Sequence, residues 1–341
     1  RAPLFLSRPH APPMRALLLT RDPDLSVTLT EVDEADLPDG EVLIDVSHSS
    51  LNYKDGLAVT GRGKIVRGDF PFVPGIDLAG TVAASVSDRW AEGDAVILTG
   101  WGTGEDRWGG FAERARASAD HLVASPGSLS AEDAMWIGTA GFTAMLSVLA
   151  LEAHGAGPDA GPIAVTGASG GVGSMATALL AAAGYEVHAV TGTASAHGYL
   201  RALGAAEIVD RHALADAAEP PLQRGVWAGA VDSVGGTTLA ALLAQSRRHA
   251  CVAACGLASG PALATTVFPF ILRGVTLAGI DSNTAPVPLR EQAWARLADA
   301  VAAGALSAVE KTVIPLADVP AWSARIVDGD TVGRVVVDTR T

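Results

Sequence analysis

The sequence predicts an α/β fold: a doubly wound parallel sheet joined to a second, mainly β domain. Three observations carry this. At 341 residues the chain exceeds one ordinary hydrophobic core, so two domains are expected. From about residue 130, short apolar runs alternate with helical patterns, which is βαβ repetition. Before that point short strand-like runs are cut by glycine and proline and few helical patterns intrude, as in a small barrel-like β domain.

In chain order, residues 15–19 and 41–48 read as strands joined by a polar stretch that ends Leu37-Pro38-Asp39-Gly40. Residues 73–82 and 90–98 continue the strand pattern. Helices are expected at 131–137 and 142–154, then a strand at 162–165 and a helix from Met175 to Ala183, stopped by Gly184. Strands follow at 186–191, 207–210, 228–234, 250–254 and 275–280, with helices at 195–203 and 289–301. Residues 311–316 and 333–338 are β-like again, so the C-terminus is expected to return to the first domain. The expected division is 14–135 completed by 305–341, and 136–304. The first thirteen residues read as a loose or added extension before Met14, without the long apolar core of a secretory signal.

Composition narrows the function. Hydrophobic residues make up 49% and charged residues 18%, which describes a well-buried chain and argues against disorder. A formal charge of -13 disfavours nucleic acid and anionic membranes as partners. No apolar run reads as a membrane span. A cytoplasmic protein is expected.

Val165-Thr166-Gly167-Ala168-Ser169-Gly170-Gly171-Val172-Gly173-Ser174 is a glycine-dense turn between a strand and a helix. On the G-x-G-x-x-G template its three positions are Ala168, Gly170 and Gly173: tight turn, close approach of backbone to a pyrophosphate, and close helix packing. The helix N-terminus then offers free N–H groups and a positive dipole end to a diphosphate. An NAD enzyme places a carboxylate on the ribose about twenty residues later. Here the second strand ends Val190-Thr191-Gly192-Thr193, with no carboxylate. Thr191, Thr193, Ser195 and Tyr199 are hydroxyls able to donate to a 2′-phosphate, so NADPH is the expected cofactor.

Asn52-Tyr53-Lys54-Asp55-Gly56 sets four hydrogen-bonding side chains in a row after a strand, more than a turn needs. Arg62, Lys64 and Arg67 follow in a glycine-rich loop, either as a solvated loop or as a site for phosphates. Before residue 130 there are no cysteines, and His48 and His121 are far apart, so a metal-free site is expected. Cys251 and Cys255 read as small buried residues of one strand, with backbones roughly 13 Å apart and no disulfide between them.

These residues resemble a family. The β domain followed by the Gly170/Gly173 turn is similar to the medium-chain dehydrogenase/reductase superfamily, which implies a GroES-like catalytic domain and a Rossmann nucleotide-binding domain. Ser50-Leu51-Asn52-Tyr53-Lys54-Asp55, Pro74-Gly75-Ile76-Asp77-Leu78-Ala79-Gly80-Thr81, Trp108-Gly109-Gly110, Gly138-Thr139-Ala140-Gly141-Phe142-Thr143 and Pro269-Phe270-Ile271-Leu272-Arg273-Gly274 resemble its zinc-free, quinone-oxidoreductase-like branch, and within it the acrylyl-CoA reductases. The resemblance implies NADPH-dependent reduction of acrylyl-CoA to propionyl-CoA, with hydride delivered to the β-carbon. It implies Tyr53 at the nicotinamide end, Ser169, Gly170, Gly171 and Val172 at the pyrophosphate, and Thr191, Gly192 and Thr193 around the ribose phosphate. It also implies that Leu257, Ile271 and Ser282 close over the cofactor. Asn52, Tyr53 and Asp55 are the candidates for polarising or protonating substrate.

Two positions depart from the family. Thr193 stands where arginine is common, and Asn283 where an apolar residue is more usual. A quinone or general enone reductase, which needs no basic loop, is the enzymatic alternative, and a non-catalytic NADPH-binding protein the other. Val275 to Ile280, apolar on both faces and late in the sheet, predicts a homodimer paired through that strand.

Overall fold

The computed structural model describes residues 13–216 and 219–341, so the expected extension, apart from Pro13, lies outside the described residues. The chain forms two compact units. One comprises the chain up to Thr139, Asn283–Trp294 and Lys311–Thr341; the other comprises Ala140–Ser282 and Ala295–Glu310.

The first unit opens with β1 (Met14–Arg21) and β2 (Leu25–Val32), an antiparallel pair with Leu17 opposite Leu29. The expected polar stretch thus contains a strand. Next come β3 (Val42–Leu51), α1 (Tyr53–Thr60), β4 (Asp77–Ser85), β5 (Ala95–Thr99), β6 (Arg114–Ala117) and β7 (Val123–Ala124). α1 stands in a region where few helical patterns were expected. Its start is set locally: the Asn52 N–H donates to Asp55 Oδ2 at 2.9 Å, the reciprocal half of a capping box. α2 (Ala131–Ala153) joins the two expected helices across a kink at Gly138, where φ is 50°. By length and composition alone α2 passes as a membrane span, against the sequence expectation, yet 83% of its most apolar stretch is buried within the protein. That is a core helix.

The second unit holds β8 (Ile163–Thr166), α3 (Gly171–Ala182), β9 (Val187–Thr191), α4 (His197–Ala202), β10 (Glu207–Asp210), α5 (Arg211–Asp216), β11 (Trp227–Asp232), α6 (Gly236–Ala244), β12 (Ser246–Ala254), α7 (Phe268–Arg273) and β13 (Thr276–Gly279). The six strands are parallel, in the order β10-β9-β8-β11-β12-β13. Counted along this unit that is 3-2-1-4-5-6, with the chain reversing direction across the sheet between β8 and β11. Ala164, Val190, Ala230, Leu242 and Val252 build its core. Cys251 and Cys255 are free, and burial pushes their thiols up to about 11 and about 12.

After α8 (Val287–Ala302), strands β14 (Lys311–Pro315) and β15 (Arg334–Asp338) flank α9 (Val319–Asp328). β14 and β15 join a seven-stranded sheet, β14-β15-β3-β4-β5-β7 with β6 on β3. Leu51, Phe111, Leu316 and Val337 are buried in this unit's core. α9 lies so close to α1 that a Cβ on Gly56 would sit 2.6 Å from Ile326 Cγ2.

Candidate functional site

The glycine turn lies at the carboxyl end of β8, beside the reversal point of the sheet, where open α/β sheets bind ligands. Its tight bend is made by Gly167, at φ 58°, one residue before the template position. Ala168 is fully buried instead and hydrogen-bonds through its N–H to Val190 O at 3.3 Å. At Gly170 an added Cβ would meet only Gly167 O, at 3.3 Å, so the backbone there is open to a ligand. At Gly173 it would lie 2.6 Å from Ala168 Cα, so only glycine lets α3 pack onto the turn. The first turn of α3 leaves the N–H groups of Gly171, Val172 and Gly173 without intrahelical acceptors. Behind the turn sits a residue that sequence reasoning missed. Buried Asp232 at the end of β11 accepts from Thr166 Oγ1 at 2.6 Å and from the Gly235 N–H at 2.9 Å. These residues fit a dinucleotide diphosphate.

At the end of β9, Thr191 is buried while Gly192, Thr193 and Ser195 are exposed. Thr191 Oγ1 is engaged by the Thr193 N–H at 3.1 Å. Tyr199 departs from expectation. Its hydroxyl is buried, and burial raises its pKa against the lowering influence of the Ser174 hydroxyl, so it is not an exposed donor. Leu257 and Ile271 are 62% and 70% exposed, unusual for large apolar side chains, and Ser282 is half-buried.

In the other unit the Asn52 to Asp55 segment divides by exposure. Tyr53 is 51% exposed, whereas Asn52 and Asp55 are 7% and 1%. Asn52 Nδ2 donates to Asp77 Oδ2 at 2.9 Å and to Asp55 Oδ2 at 3.1 Å. Asp55 Oδ1 accepts from the Ile76 N–H at 2.9 Å. Asp77, absent from the expected set, also accepts from Ser50 Oγ at 2.5 Å, Thr139 Oγ1 at 2.5 Å and the Thr139 N–H at 2.8 Å. Burial, then the charge of Asp77, pushes the Asp55 carboxyl up to about 7. Burial pulls the Arg334 guanidinium down, opposed by the charges of Asp77 and Asp55. Both carboxyl oxygens of Asp55 are occupied by protein donors, so the expectation that Asn52 and Asp55 touch substrate gives way to one in which they hold α1 and Tyr53 in place. Nothing in the spacing of a sequence marks Asp77 or Arg334, since Asp77 is the lone charged residue of β4 and Arg334 opens a strand that continues with three valines.

The basic loop is largely neutralised. Arg62 pairs with Asp328, Arg67 with Glu105 at 2.7 Å and Asp106 at 3.2 Å, and Lys54 with the same Glu105 at 2.8 Å. Lys64 is exposed and forms no ion pair among the described residues. A hollow of about 920 Å³ beside Gly68 is ringed by Asp33, Asp36, Asp69 and Asp106, a poor setting for phosphates. Asn283 has a definite role: its Oδ1 accepts from the Gly102 N–H at 3.2 Å and its backbone carbonyl from the Trp101 N–H at 2.9 Å, pinning the glycine-rich 100–104 loop. Among the described residues no group of three or more His, Cys, Asp or Glu side chains is arranged to hold a metal ion.

The sheet order and glycine turn define a Rossmann dinucleotide-binding domain, and its combination with the β domain is that of a medium-chain dehydrogenase/reductase. Residues 38–127 match the alcohol dehydrogenase GroES-like domain, and residues 171–303 match a family described as zinc-binding dehydrogenase. The chain is 51% identical over 325 residues to the "Probable acrylyl-CoA reductase AcuI" of Escherichia coli, covering 95% of this chain and 99% of that one. It is 49% identical over 326 residues to the acrylyl-CoA reductase AcuI of Ruegeria pomeroyi, covering 95% and 98%. The structure superposes with a TM-score of 0.92 on the yhdH oxidoreductase of Salmonella enterica, solved in complex with NADP, at 52% identity and with 95% and 99% coverage. The chain belongs to the acrylyl-CoA reductase family, in the zinc-free branch of the medium-chain dehydrogenases/reductases.

Proposed function

We propose that the protein reduces the 2,3-double bond of acrylyl-CoA, with NADPH, to give propionyl-CoA. The observation that carries this is the near full-length identity, about half of all positions, to two acrylyl-CoA reductases, joined to a glycine turn shaped for a diphosphate. When bound, the nicotinamide supplies the hydride that the substrate's β-carbon accepts.

The chain's own residues do the rest. Ser169, Gly170, Gly171 and Val172 hold the pyrophosphate through backbone N–H groups. Thr191, Gly192, Thr193 and Ser195 are assigned to the adenosine ribose, and Leu257, Ile271 and Ser282 to covering the cofactor. Tyr53, the exposed hydroxyl of its segment, is assigned to the thioester carbonyl, where it would stabilise the enolate charge and donate the proton that the α-carbon takes up. Asn52, Asp55 and Asp77 fix the start of the helix that carries it. No metal takes part in this assignment. We also assign a cytoplasmic homodimer built through β13, an edge strand of its sheet.

The ion pairs of Arg62 and Arg67 favour a second reading, a general enone or quinone reductase, because they leave little free charge for a CoA ester. Following NADPH oxidation with acrylyl-CoA, crotonyl-CoA and a quinone side by side separates the two. The highest kcat/KM is expected with acrylyl-CoA, and a quinone that matches it overturns the assignment.

A further inference from the structure

We infer that the fold keeps both of its thiols from adding to the electrophilic double bond that the enzyme reduces, with Cys251 sealed inside the sheet and Cys255 held as a thiol against the Asp232 carbonyl. This rests on the acrylyl-CoA reading above and adds a property that turnover itself does not require.

The substrate's chemistry sets the hazard. The β-carbon of an enoyl thioester accepts hydride, and the same carbon accepts a thiolate. A C–S bond forms there, the double-bond electrons move toward the thioester as an enolate, and water supplies the proton for the α-carbon. Nothing leaves and nothing is oxidised. Thiolates, not thiols, perform this addition. The chain has two cysteines, and one of them stands on the ligand-binding edge of its unit. Cys255 follows directly on β12, whose neighbour β11 flanks the reversal point of the sheet.

The two sulfurs are disarmed differently. Cys251 lies level with Gly229 of β11 and Thr276 of β13 and is wholly buried. Cys255 is only partly buried, so access to it is not barred; ionisation is. Its thiol donates to Asp232 O at 3.3 Å, the same carbonyl that accepts the Cys255 N–H at 2.8 Å. At the next residue, Gly256, an added Cβ would lie 2.3 Å from Ser233 O, so the segment packs directly on the turn that presents this carbonyl. Burial, and then the negative charge of Asp232, push the thiol up to about 12, against a smaller lowering influence of the Ser147 hydroxyl on α2. No lysine, arginine or histidine is among the groups acting on the sulfur. At pH 8 about one part in 10⁴ is then thiolate, against about a quarter of a free thiol.

The test reads covalent modification rather than turnover. The full chain, without NADPH, is incubated at pH 8 with acrylyl-CoA and, separately, with acrylamide, a small neutral acceptor that needs no binding site. Intact mass and peptide mapping follow the adducts, with glutathione as the free-thiol reference. Both native cysteines are expected to react at least about 50-fold more slowly than glutathione, the rarity of the thiolate outweighing its greater nucleophilicity. The rate at Cys255 should rise about tenfold per pH unit between pH 7 and pH 10, without a plateau. In guanidinium both cysteines should react as free thiols, giving two adducts per chain. Native Cys255 that reacts as fast as glutathione, or whose rate levels off near pH 9, overturns this inference and leaves the substrate reading intact. In a parallel assay with NADPH, failure to reduce acrylyl-CoA overturns the substrate reading and removes the hazard on which this inference rests.

Discussion

Asp55 and Asp77 share a single amide: Asn52 Nδ2 stands 3.1 Å from Oδ2 of the first and 2.9 Å from Oδ2 of the second. Two buried carboxyls this close do not both ionise readily, and the one raised to about 7 is Asp55. Folding thus raises its proton affinity above the unfolded value of 3.8. The stability it contributes is complete below that value and is lost as pH climbs through 7. Between pH 5 and pH 8 the wild-type melting temperature should fall by ~2–4 °C more than that of Asp55→Asn, whose side chain is neutral throughout. Parallel melting curves for the two proteins would remove Asp55 as the source.

Tyr53→Phe removes the one exposed hydroxyl of the Asn52 to Asp55 segment and leaves α1 intact. We expect kcat with acrylyl-CoA to drop by roughly 10² to 10⁴ while the NADPH dissociation constant stays unchanged. An unaltered kcat assigns the proton and the carbonyl contact elsewhere.

Replacing Arg62, Lys64 and Arg67 together with alanine tests the loop. If the loop meets CoA phosphates, KM for acrylyl-CoA rises about tenfold or more and reduction of a small neutral enone is unchanged. Because Arg62 and Arg67 already hold Asp328 and Glu105, the single Lys64→Ala change should account for most of the rise. Equal losses on both substrates would mark the loop as structural.

The homodimer is checked by light scattering at micromolar concentration. A mass near twice 34.6 kDa is expected, and Ala278→Lys, which puts a charge on the β13 edge, should shift it to the monomer. A monomeric wild type refutes the assignment.

The sequence made the parallel sheet easier to read than the site. β8, β9 and β10 are short runs with glycine-rich boundaries, and 207–210 coincides with the observed strand. β2 is not legible because it is half-exposed and carries a serine, two threonines and a glutamate among its apolar residues. α6 is not legible because Thr238 to Ala244 are buried on every side, which erases the helical period. The Asn52 cluster was visible as a concentration of polar groups. Its division into an exposed Tyr53 and buried supports was not, since it depends on Asp77, 25 residues from Asn52.

The kink in α2 ties a local break in the helix to a partner distant in the chain. Gly138 leaves helical geometry at a point where Arg334 Nη2, Asp77 Oδ2 and Ser50 Oγ each come within 2.7 Å of where a Cβ would stand, and the Thr139 N–H turns to Asp77. That carboxylate lies 62 residues upstream. The local sequence permits the bend, because Gly138 has no Cβ and Ile137, Thr139 and Gly141 are weak helix formers. The acceptor that fixes it belongs to β4, so the direction of α2 depends on a contact of long sequence separation. The break in α2 is specified jointly by a local glycine and by a carboxylate far away in the chain.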